Sequence, residues 1–259
     1  MKAGTRARVW IPLLAGGAAL LAWEALVRLQ DVPPFILPAP SVILGTLWEN
    51  LGSLLASWVY TMEITFGALL LALAGGVLLA GAFALSRTLE LALFPFAIAL
   101  QVTPIVAIAP LILIYVDSTT AALLICAFIV AFFPILSNTL MGLRSADRNL
   151  QDLLTIYGAT RWQRLRYLLA PAALPFVVAG LRISGGLALI GAVVAEFAAG
   201  AAGRETGLAS RILEASFRTE IPKMYAALVL VALTGVAIHL AAGLLARALL
   251  ARWHPSEQA

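Results

Sequence analysis

Few residues in this chain could do covalent chemistry, and their spacing gathers none of them into a catalytic set. The only histidines are His239, inside an apolar run, and His254, near the C-terminal end, and the only cysteine is Cys126. A hydrolytic site would need a nucleophile held beside a base, and the sequence contains no glycine-flanked nucleophile elbow. It contains no helical pair of metal-binding histidines either. One cysteine can build neither a disulfide framework nor a cysteine metal site within the chain.

The patterned chemistry is noncovalent and lies in segment 145–171. Its first half includes Asn149-Leu150-Gln151-Asp152-Leu153-Leu154-Thr155-Ile156-Tyr157, its turn is Gly158-Ala159-Thr160, and its second half runs from Arg161-Trp162-Gln163-Arg164 to Leu168-Leu169-Ala170-Pro171. Leu150, Leu153, Leu154 and Tyr157 recur at spacings of three and four, which places them on one face of a short helix. Gly158 can stop that helix at a positive φ, Thr160 can cap a second short helix, and Pro171 follows it. An apolar stripe outside the lipid must be covered. It either packs on the ends of the protein's own spans or enters a groove on a partner, as amphipathic helices often do.

The elements that must position this segment are membrane helices. The 259 residues are 62% hydrophobic and 12% charged, with a mean hydropathy of +0.99, whereas a soluble domain is usually about 25% charged. Since a bilayer crossing takes about 20 residues, six spans are expected, at 9–29, 60–85, 91–116, 119–143, 172–200 and 224–251, forming one all-α domain over 1–259. The opening order of Lys2, Arg6 and Arg8 before apolar residues also occurs in signal peptides. The length of the run, Glu24 within it and the lack of a small-x-small cleavage site favour a span. The isoelectric point of about 9.6 reflects loop arginines rather than a nucleic-acid surface. With the N-terminus inside, Lys2, Arg6, Arg8, Arg87, Arg144, Arg148, Arg161, Arg164, Arg166, Arg247 and Arg252 fall on the cytoplasmic side, against Arg28, Arg204, Arg211, Arg218 and Lys223 outside. Both termini are therefore expected in the cytoplasm. Trp10, Trp23, Trp48, Trp58, Trp162 and Trp253 lie near span ends, as interfacial rings do.

Two segments on the outer side are too polar or too broken to span. Pro33 to Pro40 is stiffened by proline, and Ser41 can cap a surface helix running through Leu47 and Leu51. Arg204 to Lys223 mixes both charge signs with Ile212, Leu213 and Phe217. These segments read equally as interfacial loops or as a docking face for an external partner.

Polar residues inside spans mark candidate pathway positions, because charge in hydrocarbon is costly. The candidates are Gln101, Thr103, Ser137, Asn138, Arg182 and Glu196. Gln101, Thr103, Ser137 and Asn138 flank Pro104 and Pro134, so they can instead satisfy backbone groups that the prolines free. Arg182 can snorkel inward or pair with a group on another subunit. Glu196, near its span's outer end, fits a gate, a docking contact or a structural hydrogen bond. Glu24 and Arg28, four apart, read as a local pair. His239 reads as a helix-to-helix hydrogen-bonding group, since no second intramembrane histidine accompanies it.

The chain resembles the permease subunits of type I ATP-binding-cassette (ABC) importers. Their cytoplasmic motif is Glu-Ala-Ala, three residues, glycine, nine residues, Ile-x-Leu-Pro. Asp152-Leu153-Leu154 stands at the Glu-Ala-Ala position, Gly158 has the required spacing, and Leu168-Leu169-Ala170-Pro171 closes the motif. Aspartate for glutamate keeps the anion, while leucines for alanines enlarge the knob. Leu37-Pro38-Ala39-Pro40-Ser41, Thr103-Pro104, Ala109-Pro110-Leu111, Phe133-Pro134-Ile135-Leu136-Ser137-Asn138-Thr139 and Gly180-Leu181-Arg182-Ile183 are similar to the nitrate, sulfonate and taurine branch.

The resemblance implies a permease homodimer in the bacterial inner membrane, in contact with lipid. Two ATPase subunits beneath it would hold ATP and Mg, and a periplasmic or lipid-anchored solute-binding protein would dock outside. It implies no catalytic site, cofactor or metal in this chain, and it assigns ATPase coupling to Leu150, Asp152, Leu153, Leu154, Tyr157, Gly158, Ala159, Thr160 and Arg161. The branch carries sulfonates, taurine, nitrate, pyrimidine precursors and riboflavin, and the polar-sparse spans lean toward flat heterocycles. A secondary transporter, the main rival, should show two similar halves with matching broken helices, and none is visible. An intramembrane enzyme would need the missing catalytic groups.

Overall fold

The computed structural model describes residues 3–204 and 207–250, with side chains from Trp10 onward; Lys2, Ala251, Arg252, Trp253 and His254 lie outside the described residues. Every regular element among the described residues is helical. Five helical stretches are long and apolar enough to cross a bilayer: Trp10–Leu29 within α1 (Ala3–Leu29), α3 (Leu51–Leu85), α6 (Thr119–Arg144), the rod Arg161–Ala201, and α11 (Ile221–Leu250). A sixth crossing is a broken pair, α4 (Arg87–Val102) and α5 (Ile105–Tyr115), bent by 103°.

The break corrects the continuous span expected at 91–116. Pro104 has no N–H to donate and disfavours helical geometry in the residue before it, and Thr103 is extended at φ −76°, ψ 123°. The expected span at 172–200 is also revised. The short helix α8 (Arg161–Arg164), a π turn (Leu165–Leu169) and α9 (Ala170–Ala201) form one uninterrupted rod of 41 residues. Pro171 therefore does not end a helix. It would clash with the carbonyl of Tyr167 in regular α geometry, and the wider π turn just before it, with the N–H of Ala170 reaching the Leu165 carbonyl, relieves that conflict. The expected span 60–85 begins earlier, at Leu51, because Gly52, Ser53 and Ser57 interrupt apolarity without breaking a helix. The last span starts at Ile221 rather than 224.

Ser41 does not cap the surface helix α2 (Pro40–Glu49). Pro40 occupies its first turn, with Ala39 as the extended residue before it, and α2 stops at Glu49 instead of running through Leu51. The Ser41 N–H and hydroxyl donate to Glu24 at 3.0 and 2.7 Å, and Arg28 pairs with the same carboxylate. A carboxylate at a helix N-terminus is favourable there, so this node ties α1 to α2. Trp23 on α1 also meets Tyr225 on α11, with ring centroids 6.1 Å apart.

The core is the antiparallel pair α6 and α9, flanked by α3. Small residues set that contact. A methyl added at Gly142 would strike Ala173 and Phe176, and one at Gly191 would strike Ala127. Close backbone approach through small residues is how helices associate in lipid, where no hydrophobic drive favours one apolar neighbour over another. The Ser184 hydroxyl donates to the Ala131 carbonyl across the pair at 2.7 Å, fixing the register of the two helices.

Candidate functional site

At one end of the bundle, α3 and α6 finish, α4 begins, and the short helix α7 (Arg148–Ile156) projects. Asp147 precedes α7 and accepts the Asn149 N–H at 2.7 Å. Its far end is a closed turn. Gly158 sits at φ +70°, its N–H reaches the Thr155 carbonyl, and the Ala159 N–H reaches the Leu154 carbonyl at 2.9 Å. That is the paired-bond helix stop that glycine makes inexpensive. Thr160 and Gln163 then form a reciprocal cap: the Gln163 N–H donates to the Thr160 hydroxyl, and the Thr160 N–H donates to the Gln163 carbonyl oxygen at 2.8 Å. The glycine turn and the threonine cap are both as expected from sequence.

This turn is anchored to the spans while the helix beside it is bare. Arg161 donates to the Leu85 carbonyl at the end of α3 at 3.1 Å, where a cation also meets the negative end of the helix dipole. Glu90 at the start of α4 is buried and pairs with Arg87 at 2.8 Å and with Arg144 at the end of α6. A cavity of about 640 Å³ opens between these residues and the root of α7, lined also by Arg148, Gln151 and Leu169. Yet α7 has no extensive packing against another described helix and buries none of its residues, although Gln151 and Leu154 are half-buried. Leu150 and Leu153 are about half exposed, while Ile156 and Tyr157 are 82% and 79% exposed. Asp152 is exposed and joins no ion pair among the described residues.

The candidate pathway residues do not form one cluster. Gln101 and Thr103 are exposed at the α4–α5 break, where the Thr103 hydroxyl donates to the Ala99 carbonyl at 2.6 Å. Ser137 and Asn138 both donate to the Pro134 carbonyl, at 3.3 and 2.7 Å. Glu196 is fully buried at the opposite end of the bundle from α7, where it accepts the Ala209 N–H at 3.0 Å, while Thr61 accepts the Leu208 N–H at 2.9 Å. These are the first amides of α10 (Leu208–Phe217), so the carboxylate and the hydroxyl together cap that helix. Gly207 is pressed against both groups, leaving no room for a side chain. Further along α10, Arg211 donates to the Ser57 hydroxyl and to Glu214, and its guanidinium holds the Glu214 carboxyl below the usual carboxylate range.

Within the single chain Arg182 is exposed and finds a partner on the last span. Its guanidinium lies 3.0 Å from His239 Nε2, joining α9 to α11. Sequence reasoning weighed these two residues separately because nothing in the spacing of a helix at 182 and another at 239 reports that they meet. The links from Glu90 to Arg144, from Arg161 to Leu85 and from Thr61 to α10 were missed for the same reason. Only Arg87 and Glu90, three apart, carry a local signal.

A bundle of apolar spans with one broken crossing, an exposed amphipathic helix at one end and a capped one at the other defines a polytopic helical membrane protein. Residues 72–254 match the family of binding-protein-dependent transport system inner membrane components, and the chain belongs to that family. It is a permease component of an ABC importer and a multi-pass inner membrane protein. The riboflavin transport system permease protein RibX of Chloroflexus aurantiacus is 40% identical over 92% of this chain and 87% of its own. The formylaminopyrimidine transport permease protein ThiX of Halalkalibacterium halodurans is 29% identical over 84% of this chain and 85% of its own. The putative aliphatic sulfonates transport permease protein SsuC of Bacillus subtilis is 28% identical over 98% and 92%. Among solved structures, an amino acid ABC transporter crystallised with histidines shares the fold at a TM-score of 0.61, with 16% identity, covering 77% of this chain and 95% of that one. The MetNI methionine ABC transporter in an inward-facing form gives 0.56, with 21% identity, covering 82% and 98%.

Proposed function

We propose that this permease is driven by a separate ATPase whose groove receives α7, so that nucleotide-dependent closure of the ATPase pair rocks the spans and switches access between the two membrane faces. The observation that carries this reading is the bare apolar face of α7, with Leu153, Ile156 and Tyr157 exposed on a helix whose turn at Gly158 to Arg161 is tied to the end of α3. A helix whose Leu153, Ile156 and Tyr157 stay exposed, tied to the spans at its end, suits the transmission of motion by rigid-body movement. Asp152 is free to pair with a basic residue of the ATPase, and Leu150, Leu154, Ala159 and Thr160 shape the knob.

On this reading the α7 end and both termini are cytoplasmic, two copies of the permease form the membrane unit, and α2 and α10 face a periplasmic or lipid-anchored binding protein. ATP and Mg belong to the ATPase, and this chain contributes no catalytic group, cofactor or metal. The cargo is a flat nitrogen heterocycle of the flavin or pyrimidine kind. The names of two relatives, one for riboflavin and one for formylaminopyrimidine, support that class, as do spans sparse in polar groups. Gln101, Thr103, Ser137, Asn138, Arg182 and Glu196 are the pathway candidates within it.

The test is co-purification and transport. The double variant Leu153→Asp with Tyr157→Asp should fold normally, lose the co-expressed ATPase from the purified complex, and abolish ATP-driven uptake in proteoliposomes. Full retention of the ATPase by that variant would remove the reading, and so would solute uptake by the permease alone.

A further inference from the structure

Arg182 and His239 lie where a cation is most expensive. The bond from Ser184 to Ala131 sets α9 against α6, and Ala131 is midway along the 26 residues of Thr119–Arg144. Arg182 is two residues from Ser184, hence about 3 Å from the level of the bundle's middle. His239 lies a little past the middle of the 30 residues of α11. Both side chains are exposed on the surface of the single chain. Arg182 joins no ion pair among the described residues, and its one side-chain partner is a ring nitrogen that must be unprotonated to accept from it. A guanidinium carries five N–H donors, and among the described residues His239 is the one side chain they reach.

Exposure of such a pair to lipid is physically unreasonable, because a charge at bilayer centre faces a protein partner or a water-filled cavity. Hydrogen-bonding His239 does not neutralise the arginine. It aims the guanidinium and leaves its remaining donors turned outward. The exposed side chains beside the pair include Ile183 and Ile190 on α9 and Val236 and Leu240 on α11. The site therefore offers one fixed cationic fork on greasy walls, a composition typical of small-molecule sites, where a few placed polar groups orient a mostly apolar ligand.

We propose that Arg182 and His239 form the mid-depth solute contact of a water-filled translocation cavity, where the arginine fork takes an acceptor oxygen of the cargo, a ring carbonyl or an anionic oxygen. This rests on the importer reading above. His239 is a positioning residue that holds the guanidinium toward the cavity, and Arg182 makes the contact. The pair serves a carbonyl-bearing heterocycle and a sulfonate through the same donors.

The test uses the permease with its ATPase and binding protein in proteoliposomes, with Cys126→Ala as background because Cys126 is the only native thiol and is buried. Arg182→Cys and His239→Cys should react with a water-soluble, cationic methanethiosulfonate far faster than Leu70→Cys, an exposed position near the middle of α3. Riboflavin or methanesulfonate, added separately, should slow the reaction at position 182, and the effective protectant identifies the oxygen class. Among complexes matched for ATPase content, Arg182→Gln should raise the KM of uptake about tenfold, the worth of one charge-assisted hydrogen bond. Arg182→Lys should restore part of that loss.

Labelling no faster than at Leu70, an unchanged KM in Arg182→Gln, or a disulfide forming between two copies of Arg182→Cys would each overturn the proposal, the last by placing the pair at a contact between copies. Failure of the ATPase to associate would remove the importer reading instead, and the labelling contrast would still decide whether the pair faces water.

Discussion

Two short amphipathic helices stand at opposite ends of this bundle, and they are finished in opposite ways. Helix α10 is completed by its own chain. Its first amides bond to buried Glu196 and Thr61, and Leu208, Ala209 and Ala215 are sealed against the spans. Helix α7 is complete only at its two stops, Asp147 and Gly158, and none of its residues is buried, with Leu154 half-buried and Leu150, Leu153, Ile156 and Tyr157 exposed. Both sequences show helical apolar spacing, so amphipathicity alone does not say whether a helix docks internally. What separates them is what lies opposite. The chain supplies a buried carboxylate, a hydroxyl and a glycine cleared of side chain to receive α10, and supplies α7 only with a tether. This fold builds a precise seat for one short helix and none for the other, and under the proposed function the second is where the ATPase fits.

The contrast breaks most violently at Glu196. Glu196→Leu strips the acceptor from a buried helix N-terminus, and an orphaned buried donor costs about 1 to 3 kcal/mol before packing changes are added. The variant should lose about 4 kcal/mol in detergent–denaturant unfolding. Glu196→Gln keeps an acceptor oxygen and should lose under about 1 kcal/mol. If the two variants were equally harmful, charge rather than acceptance would hold α10. Gly207→Ala comes next. Its methyl would overlap the Glu196 carboxyl and the Thr61 hydroxyl, and overpacking of this kind destabilises by about 2 kcal/mol. An unchanged unfolding midpoint would mean that α10 can lift from its seat cheaply, and the asymmetry between the two helices would shrink.

How much of this asymmetry could be read beforehand depends on the range of the interaction. The glycine stop at Gly158, the Thr160 cap and the stripe through Leu150, Leu153, Leu154 and Tyr157 involve neighbours within one or two turns, and they were legible in residue spacing. The ion pair of Glu24 and Arg28, four residues apart, was legible for the same reason. Ser41 has the residue type of a cap, but its partner, Glu24, lies 17 residues away on another helix, beyond the reach of local spacing. Pro171 reads locally as a stop, yet a proline preceded by a π turn can sit inside a rod, and α9 continues through it. Conversely, Pro104 breaks its span, with Thr103 before it forced out of helical geometry and no π turn nearby to absorb the ring. Where Glu196 and Arg182 find their partners, on α10 and α11, depends on how helices are arranged around one another, which apolar periodicity does not encode.

At the α7 end the expected effects shrink and become local. Gly158→Ala places a side chain at φ +70°, a strain of about 1 kcal/mol. Because α7 carries little of the core, that strain should not move the global midpoint. It should appear as about fivefold faster hydrogen exchange at the Ala159 amide, which closes the turn onto Leu154. Exchange at the Leu208 and Ala209 amides, at the other end, should stay as it was.

The smallest expected change in stability is the most informative one. Leu153→Ser removes half-exposed apolar surface from a helix that buries none of its residues. Surface substitutions of this kind stay within about 0.5 kcal/mol, so the unfolding midpoint of the purified chain should be unaffected. The equivalent change on α10, Leu208→Ser, empties a fully buried position and should cost about 3 kcal/mol. In the presence of the ATPase the order should reverse in binding: Leu153→Ser should weaken association about tenfold, as truncation of a central interface side chain does. A Leu153→Ser chain as unstable as Leu208→Ser would mean that α7 folds back on its own bundle, and the distinction between the filled seat and the open one would be lost.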